Sequence, residues 1–79
     1  MTKCSWEKIN NFQMRSEFDR FAAWMLEQVS LGVAEQVSVT HPYSGAPSFP
    51  EKWFRHIGSG EVWRLVWPDG PFHGLFERV

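Results

Sequence analysis

The sequence predicts an α+β fold, in which one main amphipathic helix packs on one face of an antiparallel β-meander of about four strands (α-β-β-β-β). Three observations lead to this prediction. One apolar run has a helical period, the later segments are typical of strands, and turn sequences rich in Gly, Pro, Ser and Asp separate them. A chain of 79 residues has the length of a single domain. We divide it into an N-terminal arm or short helix, the main helix and the sheet, at residues 1–13, 14–32 and 33–79.

The main helix is predicted from Ser16 to Leu31. Ser16 has Asp19 three residues after it, which resembles a capping box, and Gly32 suits the position after the helix end. Trp24 lies about 120° around the helix from the centre of the apolar stripe, at its flank. The residues of that stripe follow a period of about 3.6, and they are Phe18, Phe21, Ala22, Met25, Leu26 and Val29.

Four strands are predicted after the helix. The segment Glu35–His41 alternates, with Val37 and Val39 on one face, which is typical of a half-buried strand. Residues 42–51 contain Pro, Gly and Ser and are predicted to form a loop. The other three strand-like segments are Trp53–Ile57, Glu61–Trp67 and Phe72–Val79.

Turn chemistry predicts how the last three strands pair. A two-residue loop Ser59-Gly60 would place Arg55 opposite Arg64, which is repulsive. A three-residue loop, 58–60, places Arg55 opposite Trp63 in reach of a cation–π contact, and we predict this register. The dipeptide Asp69-Gly70 signals a two-residue turn in the next hairpin. That turn gives three favourable pairs in one register, Trp67–Phe72, Trp63–Phe76 and Glu61–Arg78.

These registers predict two sheet faces. The strongly aromatic face, expected to receive the helix, carries Trp53, Arg55, Ile57, Trp63, Leu65, Trp67, Phe72, Gly74 and Phe76. The second face, which we predict to be the partner-binding surface, carries Phe54, His56, Val62, Arg64, Val66, His73, Leu75 and Glu77. Its mixture of apolar and charged residues is typical of an interface. Two alternatives stay open: an ordinary solvated face, or a face covered by the arm, in which Trp6, Ile9 and Phe12 recur every three residues.

Three aromatic residues outside the strands are secondary candidates for partner binding. Trp24 lies at the helix flank, and Trp is enriched at binding hot spots. Tyr43 and Phe49 lie in a loop that is long for so small a chain, and such loops are often functional. The alternative is that both loop rings fold back and close the edge of the core.

Catalytic and metal-binding patterns are weak. A carboxylate can orient a histidine, so His56, His73 and Glu77 form one candidate catalytic set. No convincing nucleophile joins this set, since Ser59 is a turn residue. The spacings of His41 and the other two histidines match no known metal site. We therefore predict no catalytic residue, no metal and no cofactor.

Composition limits the partners and the compartment. The net charge is −1 and no basic run is present, which disfavours nucleic acid as a partner. No apolar run approaches the roughly 20 residues that a membrane span needs, so we expect no membrane association of that kind. Cys4 is the only cysteine, and the first residues lack the apolar stretch of an export signal, so we expect the cytoplasm.

These patterns predict a small non-catalytic protein-binding domain of bacterial type. Within this class we favour an inhibitor, immunity-type or phage-related antagonist that uses the open sheet face, with another protein or a second copy as partner. The first alternative is a homodimeric structural or regulatory protein whose open sheet faces pack together. The second alternative is a small enzyme that uses His56, His73 and Glu77.

Overall fold

The computed structural model describes residues 4–43 and 50–79. These residues form one antiparallel sheet in the order β1-β2-β3-β4, preceded by one helix, so the predicted fold class and element order are confirmed. The predicted site residue Phe49 lies outside the described residues. The elements are α1 (Arg15–Ser30), β1 (Ala34–Val37), β2 (Glu51–His56), β3 (Val62–Val66) and β4 (Leu75–Arg78).

Helix α1 begins one residue earlier than predicted. Its N-cap is Met14, in an extended conformation, and no side chain caps it. The predicted capping box at Ser16 is wrong, because the helix has already begun at Arg15. The carboxylate of Asp19 accepts a hydrogen bond of 3.0 Å from Nε of Arg15. This ion pair joins two exposed residues four apart, an arrangement that supports the first turns of a helix.

The end of α1 agrees with the prediction at Gly32. This residue has a φ of +76°, which glycine adopts without strain. The N–H of Gly32 donates to the carbonyl of Val29, and the N–H of Val33 donates to the carbonyl of Gln28. This pair of bonds is a Schellman motif, and it turns the chain directly into β1.

The β3–β4 hairpin is shifted by two residues from the predicted register. Leu65 lies opposite Phe76, and the two-residue turn is Gly70-Pro71. A turn at Asp69-Gly70 would require a positive φ at Asp69, whereas no non-glycine residue among those described has one. Gly70, with a φ of +59°, supplies the positive φ at the first turn position, and Pro71 fits the second.

A shift of two residues leaves every side chain of β3 and β4 on its predicted face, because side chains alternate with a period of two. Phe72 and His73 lie outside these two strands. The predicted partners therefore still meet, now as diagonal neighbours. The rings of Trp63 and Phe76 stack with centroids 4.9 Å apart. Nε of Arg78 lies 3.9 Å from Oε1 of Glu61.

The β2–β3 register differs from the prediction by one residue, and this reverses the faces of β2. Phe54 lies opposite Trp63, and Arg55 lies opposite Val62 instead of Trp63. The loop has four residues, 57–60, because the N–H of His56 donates to the carbonyl of Glu61 at 2.8 Å.

This register changes which residues of β2 lie on each of the two predicted faces. Phe54 and His56 lie on the helix face, where the structure buries them, and they do not belong to the second face. Trp53 and Arg55 lie on the second face instead of the helix face. Ile57 lies in the loop after β2 and is half exposed.

The helix face holds the core, and the arm packs on this same face. Ile9 exchanges two backbone hydrogen bonds with Phe76, of 2.8 and 2.9 Å, along the outer edge of β4. The alternative that the arm covers the second face is therefore wrong. The arm residue Phe12 joins a buried cluster that also contains Phe18, Met25, Phe54, Trp63, Leu65 and Phe76.

We expect Gly74→Ala to lower the free energy of unfolding by about 2–4 kcal/mol. Gly74 has a φ of +91°, and a Cβ there would lie 3.1 Å from the ring of Phe18 and 3.2 Å from that of Phe12. The matched control is Gly60→Ala, which has a similar φ of +80° and an open environment. It should cost only the backbone strain, about 1–2 kcal/mol. Urea denaturation measures both, and equal losses would contradict the tight packing at Gly74.

Candidate functional site

The second sheet face, predicted to be open, is largely covered. Val66 is fully buried, and Leu75 is only 6% exposed. The chain after β1 passes over this face, and the N–H of Tyr43 donates to Oε1 of Glu51 at 2.6 Å. The ring of Tyr43 also stacks on that of Phe72, with centroids 5.7 Å apart. Tyr43 therefore folds back onto the protein, as the alternative to partner binding predicted for it.

Arg64 is the centre of this covered face. Its guanidinium lies 5.6 Å from the ring centroid of Trp53 and 5.9 Å from that of Tyr43. Its Nε lies 3.6 Å from Oε2 of Glu77, and this buried Nε has no hydrogen-bond partner among the described residues. The same Glu77 carboxylate lies 3.8 Å from Nζ of Lys8, so the ion pairs link the sheet to the arm. With 12% of its side chain exposed, Arg64 is placed to hold the fold together.

The structure scatters the predicted partner-binding residues. Of the eight on the predicted second face, four are buried, three are half-buried and one is exposed. The exposed one is His73, which borders a hollow beside the start of α1. The buried ones are Phe54, His56, Val66 and Leu75, and the half-buried ones are Val62, Arg64 and Glu77. These eight residues form no continuous accessible surface.

The candidate catalytic set does not converge. His56 lies on the helix face, whereas Glu77 lies on the opposite face beside Arg64. The structure instead brings Oγ of Ser59 to 2.9 Å from Nδ1 of His56, a pair that the spacing of these residues does not predict. Nδ1 also accepts the N–H of Ser59, and Oγ accepts the N–H of Glu61, so both groups close the loop after β2.

The histidines do not form a metal site. Within residues 4–43 and 50–79, no three side chains of His, Cys, Asp or Glu come together in a way that could hold a metal ion. The ring of His41 packs edge-on against Trp53, with centroids 4.8 Å apart.

Among the described residues, the most accessible aromatic surface lies between the arm and α1. Trp24 is 41% exposed, and its ring centroid lies 5.7 Å from that of Phe21. We call the hollow beside it, of ≈ 350 Å³, the α1–arm groove. It is lined by Trp6, Ile9, Phe21, Trp24 and Phe76, with Ser5, Glu7 and Lys8.

The sequence contained part of the signal for the α1–arm groove. The wheel position of Trp24 predicted its place at the flank of the helix. The contribution of Trp6 and Ile9 was missed, because the spacing of these residues does not tell on which sheet face the arm lies. Only the backbone pairing of Ile9 with Phe76 fixes that position.

Comparison with known proteins adds no assignment, since no protein-family model, curated protein or solved structure matches this chain. In the part of the chain that the structure describes, no helix is long and apolar enough to cross a membrane.

We expect Arg64→Met to lower the free energy of unfolding by about 2 kcal/mol, because it removes two cation–π contacts and leaves Glu77 without its closer cation. The matched control is Arg78→Met, whose side chain is 63% exposed and, among the residues that the structure describes, forms an ion pair with Glu61 alone. That change should cost less than about 0.5 kcal/mol. Thermal and urea denaturation of the two variants measure the difference, and equal effects would show that Arg64 has no special role in the fold.

Proposed function

We propose that this chain is a small non-catalytic protein-binding domain, and that its contact surface is the α1–arm groove with Trp24. One observation carries the proposal: a tryptophan exposed to 41% stands beside an apolar hollow. Tryptophan is the residue most enriched at the energetic centres of protein interfaces. Exposure of the apolar indole surface to water is unfavourable, and burial of this surface by a partner contributes favourable free energy to binding.

The composition of the groove supports the same proposal. Aromatic rings form its floor. The ring centroids of Phe21 and Phe76 are 4.8 Å apart, and those of Trp6 and Phe76 are 5.9 Å apart. Glu7 and Lys8 stand among the lining residues, and both are exposed. An apolar centre with charged residues beside it is the arrangement of most protein interfaces. The partner surface that we propose is thus different from the sheet face predicted from the sequence.

The narrower role as an inhibitor, immunity-type or phage-related antagonist is kept as part of this proposal. The small size of the chain is the only feature that supports this narrower role. A cytoplasmic location also remains part of the proposal, supported by the single cysteine, Cys4.

We expect an aromatic photo-crosslinking amino acid at position 24, which keeps a large apolar ring at this position, to capture a protein, whereas the same group at position 26 should not. Both positions are exposed on α1, but Leu26 lies about 160° around the helix from Trp24. The capture is measured in an extract of the source cells by mass spectrometry of the crosslinked product. Unlabelled wild type should compete the product away, and Trp24→Ala should compete at least about tenfold less well.

Two results would contradict this proposal. One is equal capture from positions 24 and 26, which would indicate unspecific contact. The other is equal competition by wild type and Trp24→Ala, which would show that the indole contributes nothing to binding. Circular dichroism of each variant checks that the fold is retained.

A further inference from the structure

The outward side of α1, together with its C-cap residue Leu31, carries a regular stripe of five residues. Positions alternately three and four apart lie along one line of a helix. Starting from Glu17, this spacing selects Arg20, Trp24, Glu27 and Leu31. All five are exposed, Leu31 by 65%. We call this stripe the α1 seam.

The two central charges of the α1 seam have no ion-pair partner among the described residues. The ion pairs among the described residues include neither Arg20 nor Glu27. The two cannot pair with each other, because seven residues of helix separate them by about 10.5 Å along the axis. They stand on either side of Trp24, one cation and one anion.

We propose that the α1 seam binds a second copy of this chain, with the two helices antiparallel about a two-fold axis at Trp24. This inference rests on the proposed function, since it names the partner of the Trp24 surface. Arg20 lies about 6 Å before Trp24 along the helix, and Glu27 about 4.5 Å after it. Reversing one helix therefore brings Arg20 of each copy beside Glu27 of the other.

The charges determine the orientation. A parallel pair would place Arg20 beside Arg20 and Glu27 beside Glu27, which is repulsive. The antiparallel pair forms two opposite-charge contacts and brings the two Trp24 rings together at the axis. Such an interface is isologous, because the same stripe serves on both copies. One pair of helices is a small interface, so we expect a dissociation constant in the micromolar range or weaker.

The experiment is sedimentation velocity on the full chain from about 10 µM to about 1 mM, a range that brackets weak dimers. The wild-type mass should rise from the monomer value of 9.3 kDa toward twice that value. Arg20→Glu and Glu27→Arg should each weaken association by about tenfold or more, because each turns two attractive contacts into repulsive ones. An equimolar mixture of the two variants should associate again, because both contacts between the unlike copies are then attractive.

The matched control is Ser30→Glu. Ser30 is exposed on α1 about 120° around the helix from Trp24, so this change should leave association unaltered. Circular dichroism checks each fold. If a charge reversal unfolds the chain, Arg20→Gln or Glu27→Gln replaces it, and each should still weaken association.

A wild type that stays monomeric over the whole range overturns the inference, and so does a dimer that both charge reversals leave intact. The crosslinking experiment separates this failure from failure of the proposed function. A monomer from which position 24 still captures a different protein overturns only the second copy as partner. A monomer from which position 24 captures nothing overturns both.

Discussion

The loop after β2 is the constraint on which the rest of the structure depends. The imidazole of His56 accepts the N–H of Ser59, and the backbone of His56 pairs with that of Glu61. This closure fixes four residues in the loop. Because side chains alternate along a strand, one residue fewer would turn every side chain of β2 to the opposite face. Phe54 would then leave the core and Trp53 would enter it.

The fold class was predictable because it depends on period and on turn chemistry, which are local properties. The spacing of Phe18, Met25 and Val29 predicts a helix whatever surrounds it. Gly32 ends the helix because the position after a helix end often takes a positive φ, which glycine adopts without strain. Neither property depends on a contact between distant parts of the chain, so the sequence alone was sufficient.

The registers were less predictable because each depends on a choice between turns of similar appearance. Gly70 serves a turn with either Asp69 or Pro71, and the two choices differ by two residues. An error of two residues leaves the side chains of β3 and β4 on their predicted faces. The error of one residue between β2 and β3 moves every side chain of β2 to the opposite face. The contact between His56 and Ser59, which fixes the loop after β2, has no recognised sequence signature. The sequence predicts His56 on the partner-binding face and Ser59 in the turn, but no contact between the two.

The candidate surface could not be predicted for a related reason. A sheet with one helix leaves one face without a helix, and the sequence predicts that a partner covers it. The structure covers that face with the chain's own segment after β1, where Tyr43 packs against Arg64 and Phe72. Within residues 4–43 and 50–79, the most accessible aromatic surface is on the helix side of the protein, where Trp24 and the arm form the α1–arm groove.

The backbone pairing of Ile9 with Phe76 has a consequence for the behaviour of the protein at high concentration. Strands add to a sheet only at an edge whose amides and carbonyls are free, and a growing fibril needs such an edge on both sides of each molecule. The arm occupies the β4 side with a two-bond bridge. Recruitment of molecule after molecule into a continuous sheet is blocked for as long as this bridge holds, so detachment of the arm is the step that would open a route to fibrils.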